Sequence, residues 1–579
     1  MVFSMVLAAC AAPQATQTAA PVAPTEAPAP TEAPAPTEAP APTEAPAPTE
    51  APTAVPAPAF TGMKVEAPNC DYGGEFKSIE AVDEFTVKFT LCAPDPAFPS
   101  KVAFSAFAIQ DKDYLDANSG SSAKMSEQPN GTGPYKVKEW VRGDHITFEA
   151  NPDFWGEAPK MKTVIFRWSQ EAAQRLLELQ SGTVDGIDNP APEDIAAIQN
   201  DPNLNLLPRT AGTIFYLGMN NTIKPFDSEQ VRQAMAMAID KKRIVDNFYQ
   251  VGSTVAEQFV PPIIVPGFST TGDGAKWYDY DPVKAKEMLA AAGYPNGFET
   301  TMSFRNVVRP YVSNQPQIAQ DLQAQLAEIG VKVKIVEEES GAFLQSVADG
   351  KEPLFMLGWT NDYPDATNFY DFHFTGASKN FGTAYPDLEA AINKAATLSD
   401  PVERQKAYDE VNTLVKLHVP MVPIAHGGSA TAWKKTVEGA HSSPLGNEYM
   451  AVMSIPGQDQ LVWMQNAEPI MLWCGDETDG ESLRACEQVY ESLLSFKVGG
   501  TEVQPGLAEK YDVNPELTEW TFHLRQGVKF QNGAALDAND VVATYKAQWD
   551  YTDPNHIGNT AVFEYFGGFF KKMLNAPAQ

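Results

Sequence analysis

The strongest constraint on this chain is a stretch near its middle where a helix gives way to strands. "QPQIAQDLQAQLAEIGVKVKIVEEE" reads as a helix stopped at Gly330 and followed by a strand from Val331 to Val336. "PLFMLGW", Pro353 to Trp359, is then an unbroken apolar run, the pattern of a strand covered on both faces. "DPVKAKEMLAAAGYPNGF" reads as another helix, capped by Asp281 and closed by Gly293. Together these imply an α/β architecture. Two further patterns fit it: "FKSIEAVDEFTVKFTL" (Phe76 to Leu91) as two strands turning at Asp83-Glu84, and "TFHLRQGVKFQNG" (Thr521 to Gly533) as a β-hairpin. "LDANDVVATYKAQWD" then opens a helix with Asp537 or Asn539 at its cap.

A chain of 579 residues with 43% hydrophobic composition has room for about three to four domain-sized units. Its formal net charge of -32 excludes a nucleic-acid partner, because no basic block exists to release counterions. Glu26, Glu32, Glu38, Glu44 and Glu50 supply only a small part of that charge, so the folded body is acidic too. The N-terminal "MVFSMVLAACAAPQ" is too short to span a bilayer, and its "LAAC" resembles a bacterial lipobox with Cys10 as the lipidated residue. Residues 1–10 are therefore expected to be a lipoprotein signal. Residues 11–60 form a Pro-rich stalk in which "APTEAP" recurs every six residues, extended at roughly 3.1 Å per residue. Of the remaining cysteines, Cys70, Cys92, Cys474 and Cys486, three pairings are possible. Cys70 with Cys92 and Cys474 with Cys486 is the expected set, each pair bracketing one local element, with buried free thiols as the alternative.

Enzyme signatures are missing. Seven histidines occur, none in a His-Glu-x-x-His arrangement, and there is no Gly-x-Ser-x-Gly elbow, phosphate-cradling loop, dinucleotide fingerprint or Cys-x-x-Cys. His418 and His426 flank the apolar "VPMVPIA" and read as core or surface residues. The chain ends on "FEYFGGFFKKMLNAPAQ", with Phe563, Tyr565, Phe566, Phe569 and Phe570 in eight residues, and side chains of that size need a surface to cover them.

Six stretches carry one resemblance: "VGGTEVQPGLAEKYDVNPELTEWTFHLRQGVKFQNG" (Val498 to Gly533), "GTGPYKVKEW", "NPDFWGEAPKMKTVIFR", "LELQSGTVDG", "FDSEQVRQAMAMAIDKKRI" and "GWTNDYPDATNF" (Gly358 to Phe369). The chain resembles the peptide- and nickel-type solute-binding proteins of ABC importers, nearest the dipeptide binders. The resemblance implies a periplasmic-binding-protein-like, two-lobed α/β fold with an additional small domain. The order of motifs departs from the family, in which "PGLAEKY" and "TFHLRQGVKF" precede "GTGPY". Reading residues 457–579 before 61–456 restores it, so the chain reads as a circular permutant with "SIPGQDQ" (Ser454 to Gln460) as the joint. The aromatic tail would then pack against the segment beginning near Phe60. A truncated second copy and a gene-model error are the competing readings. The implied division is a peripheral domain of 61–125 plus 507–579, one ligand lobe of 126–245 plus 425–506, and a second of 246–424.

The resemblance also implies the site. Asp362 matches the position that pairs with a peptide α-ammonium, with an Asx-turn role as the alternative. Arg309 in "VVRPY" matches the carboxylate clamp, with a structural ion pair as the alternative and Arg305 in reserve. Trp359 would stack over ligand or be a core residue, and Tyr311 and the loop Asp476 to Ser482 would approach the cleft. No cofactor or metal is implied. The expected partners are a small peptide and ABC permease subunits, for an extracytoplasmic monomer held to the membrane only by its lipid anchor. A nickel chelate, haem or an oligosaccharide are alternative solutes, a secreted hydrolase is the alternative class, and a non-functional fusion fragment is the last reading.

Overall fold

The computed structural model describes residues 60–577 apart from 120, 121, 306–308, 313, 376–378 and 559. The lipobox at Cys10 and nearly all of the stalk lie outside them. Residues 60–579 form one compact unit containing three large sheets.

The six-stranded sheet owes its centre to the apolar run noted above. Strand Leu354–Thr360 lies between Thr213–Met219, to which it is antiparallel, and Glu299–Arg305, to which it is parallel. Strand Lys332–Glu338 extends the sheet in parallel beyond Glu299–Arg305, and Met421–His426 flanks Thr213–Met219 on the other side. Helix Gln315–Glu328 covers one face through Ile318, Leu322 and Leu326 and ends before Gly330, whose φ of 88° lies in the left-handed region that glycine adopts at little cost.

The seven-stranded sheet contains Tyr135–Val141, His145–Ala150, Thr163–Trp168, Gln460–Gln465, Gly186–Asp188, Ser429–Lys434 and Leu204–Arg209 in spatial order. The chain passes between the two sheets twice. It leaves Leu204–Arg209 for Thr213–Met219 through residues 210–212, and returns from Met421–His426 to Ser429–Lys434 through Gly427 and Gly428. The crossings are tied side by side, since the Gly427 N–H donates to Thr213 Oγ1 at 2.9 Å and that hydroxyl donates to the Gly427 carbonyl at 3.0 Å. A Cβ on Gly428 would stand 2.3 Å from the Gly252 carbonyl carbon, so the close approach requires glycine. The division expected at residue 245 is thus corrected. Strand Thr213–Met219 and helices Glu229–Met237 and Lys241–Phe248 build the second body, because the covered strand Leu354–Thr360 needs Thr213–Met219 as a neighbour.

The five-stranded sheet is assembled from both ends of the chain. Phe76–Asp83 pairs with Thr86–Leu91, which pairs in turn with Glu519–Leu524. The latter also pairs with Ala508–Val513, so both its edges are taken. The hairpin expected over Thr521 to Gly533 therefore does not form, and residues 525–537 make just the isolated bridge between Lys529 and Ala535 among the described residues. Helix Ala538–Trp549, with a reciprocal capping box at Asp537 and Asp540, packs on the sheet. The aromatic tail folds as helix Glu564–Phe570 and is covered by residues 76–107. Phe570 lies 4.6 Å from Phe76 and 4.9 Å from Phe107, ring centre to ring centre, and Tyr565 and Phe569 lie 4.9 and 5.4 Å from Phe104. The Glu75 N–H donates to the Phe570 carbonyl at 3.0 Å, so the end of this helix abuts the start of Phe76–Asp83. Disulfides join Cys70 to Cys92 and Cys474 to Cys486.

Candidate functional site

Parallel neighbouring strands send their following loops off one edge, and open α/β sheets place ligands at that edge. Arg305 and Thr360 end two such strands, so segments 309–312 and 359–363 leave the six-stranded sheet together. Tyr311 locks the two segments by lying on Gly358, where a Cβ would be 2.4 Å from its ring.

The turn after Trp359 is fixed from beneath. Asp365 accepts from the Thr367 N–H and hydroxyl at 2.9 and 2.8 Å, which starts helix Thr367–Phe374, and holds Arg404 in a buried two-pronged ion pair at 2.7 and 2.9 Å. Asn368, the second residue of that helix, organises the site. Its Oδ1 accepts from Trp359 Nε1 at 3.2 Å and from the Asp362 N–H at 3.1 Å, while its Nδ2 donates to Asp362 Oδ2 at 3.0 Å. One face of Trp359 is stacked on Phe372, centroids 4.9 Å apart, and Phe372 is itself 50% exposed.

Opposite stands the aromatic tail. Burial pushes the Asp362 carboxyl up to about 6, against hydrogen bonds from Asn368 and the Tyr565 hydroxyl, and Glu564 adds to the rise. Burial raises the Tyr565 hydroxyl far above the usual phenol range, and Asp362 and Asp479 reinforce it. Tyr363 meets Phe569 at 4.6 Å in an edge-on contact. The loop Asp476 to Ser482 supports this wall: Asp476 accepts from Thr560 N–H and Oγ1, Ala561 N–H and Phe563 N–H at 2.6 to 2.9 Å. Those bonds offset the left-handed backbone at Ala561 and Phe563, at φ 57° and 47°. Burial, with Asp479 and Asp476 nearby, pushes Glu477 up to about 7. The wall is acidic, and no ion pair neutralises Asp362 among the described residues.

The sequence-derived candidates are therefore distributed unevenly. Trp359 and Asp362 share one clamp, and Tyr311 sits against their strand, 5% exposed, its hydroxyl accepting from Arg305 Nη2 at 3.1 Å. Arg309 is exposed, bridged to Val312 through its main chain, and its side chain has no ion pair among the described residues. Asp476 belongs to the loop expected at the cleft, whereas Asn368 and Tyr565 carry no role from sequence. Asn368 carries no periodic signal, and Tyr565 sits in a run that reads simply as core.

Two lobes joined by paired crossings, with a charged turn facing a third domain, define a solute-binding protein. The chain belongs to the bacterial extracellular solute-binding proteins, family 5, matched over residues 37–381 and 502–563. The members of that family bind solutes and are not enzymes. The chain is 32% identical to the dipeptide-binding protein of Escherichia coli over 384 residues, 65% of this chain and 71% of that protein. It is 31% identical to heme-binding protein A of Haemophilus influenzae over 390 residues, 66% of this chain and 70% of that protein. Among solved structures, HbpA2 from Haemophilus parasuis superimposes with a TM-score of 0.60 at 33% identity, over 66% of this chain and 76% of that one. A dipeptide-binding protein from Pseudoalteromonas sp. SM9913, in complex with Met-Leu, gives 0.57 at 26% identity, over 66% and 76%. The family is extracellular, and no helix among the described residues is long and apolar enough to cross a membrane.

Proposed function

We propose that this protein captures short peptides between its lobes, with Asp362 as the partner of the peptide α-ammonium, and delivers them to an ABC permease. The observation that carries this reading is the half-buried Asp362 carboxyl at the strand edge, which has no ion pair among the described residues. An ammonium placed there would relieve its desolvation, and burying either charge alone costs several kcal/mol, on the order of the usual penalty. Trp359 offers its ring beside that point, Tyr311 supports the turn, and exposed Arg309 is free to swing onto the peptide carboxylate as the lobes close about the crossings at 210–212 and Gly427–Gly428.

Lipidation at Cys10, a stalk over residues 11–60 and a monomeric state complete the reading. Permuted chain order is part of it too, supported by the contact of Glu75 with Phe570 and by the single sheet that both ends build. Calorimetric titration with Ala-Ala tests the core of the proposal. Asp362→Asn is expected to weaken binding by about a hundredfold, the effect of leaving one partner of a buried ion pair alone. Unchanged affinity in that variant overturns it.

A further inference from the structure

A second cavity lies away from the Asp362 turn, where the seven-stranded sheet's loops meet the strands Leu494–Phe496 and Val503–Pro505. Its volume is about 340 Å³, the size of a small-molecule pocket rather than of a hydration site. Aromatic side chains form much of the wall: Phe154, Trp155, Tyr449 and Phe496. Three glutamates line the same space: Glu157, which is exposed, and Glu487 and Glu491, which are half-buried.

Neither Glu487 nor Glu491 has an ion pair among the described residues. Glu491 Oε2 accepts from Thr132 Oγ1 and Trp155 Nε1, each at 2.8 Å, so that group is held in place, while Oε1 has no donor among the described residues. Burial pushes Glu487 up to about 7, opposed by Asn447, and burial pushes Glu491 up to about 7, opposed by Trp155, Thr132 and Arg525. The Arg525 guanidinium stands behind this wall, 4.3 Å over the Trp155 ring and donating to the Gly506 carbonyl, and makes no ion pair with Glu491 among the described residues. The lysines at the cavity do not neutralise the pair: Lys497 bonds Glu502 at 3.5 Å and Lys160 is exposed. The carboxyl end of helix Gly480–Val489, which carries Glu487, adds its own partial negative charge.

Carboxylates without a direct ion pair beside aromatic rings are an arrangement that takes up an organic cation, since ring faces and anions both attract it. We propose that this cavity is a second ligand site, for a compact organic cation of the alkylammonium type, separate from the cleft at Asp362.

Calorimetric titration of the full chain with n-butylammonium chloride tests this, with n-butanol as the neutral probe of equal shape. The expected result is saturable one-site binding of n-butylammonium, weakened about tenfold or more by Glu487→Gln and by Glu491→Gln, unchanged in Asp362→Asn and absent with n-butanol. Thermal unfolding of each variant accompanies the titration. Should a glutamine variant not fold, Phe154→Ala at the partly exposed wall carries the same expectation. Absence of saturable binding, equal binding of n-butanol, survival of binding in both glutamine variants, or its loss in Asp362→Asn overturns the proposal.

Discussion

Asp362 and Asn368 hold each other through two hydrogen bonds of opposite sense, main-chain N–H to Oδ1 at 3.1 Å and Nδ2 to carboxylate at 3.0 Å. The same Oδ1 takes the Trp359 indole, so one amide side chain sets both an anion and an aromatic ring.

Replacing Asn368 by Ala leaves the Trp359 indole and the Asp362 N–H without this acceptor and the Asp362 carboxylate with only the Tyr565 hydroxyl. Losing hydrogen bonds to a carboxylate and leaving a buried N–H unpaired costs about 1–3 kcal/mol each. Dipeptide affinity measured by calorimetry is expected to fall about ten- to a hundredfold, while Asn368→Asp, which adds a second carboxylate, falls further.

The raised Asp362 carboxyl makes stability and binding depend on pH in opposite ways. Its folded value of about 6 exceeds the ordinary 3.8, so the folded state binds more protons between them. Its contribution to stability is complete below about 4 and lost as pH rises through about 6, a difference on the order of 3 kcal/mol. Relative to wild type, Asp362→Asn is expected to gain stability progressively over that window in chemical denaturation. An ammonium ligand favours the ionised form, so peptide binding near pH 6 should release protons, measured as a dependence of the binding heat on buffer ionisation enthalpy.

Four buried charges link the first crossing to the helix behind the acidic loop. Arg209 pairs with Asp188 and Glu448 at 3.0 and 2.6 Å, and Arg484 pairs with the same two at 2.9 and 2.8 Å. Burial alone would raise Glu448, but the two guanidiniums hold it well below the usual carboxylate range. Arg484→Met removes one cation from a balanced set, and about 3–5 kcal/mol of stability is expected to go with it in urea denaturation.

Gly358 lies under the Tyr311 ring, and Gly358→Ala forces a methyl into a 2.4 Å gap. The methyl would also stand 2.4 Å from the Ile214 carbonyl oxygen, so both the strand pairing and the ring must give, and the ring's shift carries segment 309–312 away from Trp359. Destabilisation of about 1–3 kcal/mol is expected, together with weaker dipeptide binding, and Tyr311→Ala in the same background should recover part of the lost stability.

Phe570 touches Phe76, Phe98 and Phe107 and is fully buried. Phe570→Ala is expected to cost about 3–5 kcal/mol, read as a lowered midpoint of thermal unfolding.

Local periodicity made the covered strand at 354–360, the helix stopped at Gly330 and the turn at Asp83-Glu84 legible. Boundaries set by sheet partners were not. The crossing at 210–212 has little punctuation, and only the pairing of Thr213–Met219 with Leu354–Thr360 assigns it to the second body. The hairpin after Thr521 failed for the same reason, since alternation shows a strand without showing which edge is already occupied. At the site, family motifs pointed to Trp359 and Asp362 as candidates. Asn368 and Tyr565 act through hydrogen bonds between segments whose juxtaposition no local pattern encodes.

The small sheet sets a condition on biosynthesis. Its register joins distant residues, pairing Phe89 with Trp520, and beside it a Met63 N–H bonds an Asn539 side chain 476 positions away. The strand Thr86–Leu91 must wait, with one edge bare, until the ribosome has emitted almost everything else, and such distant closure is slow and prone to aggregation. A holdase guarding that edge through translation and export would spare the nascent polypeptide a long exposure.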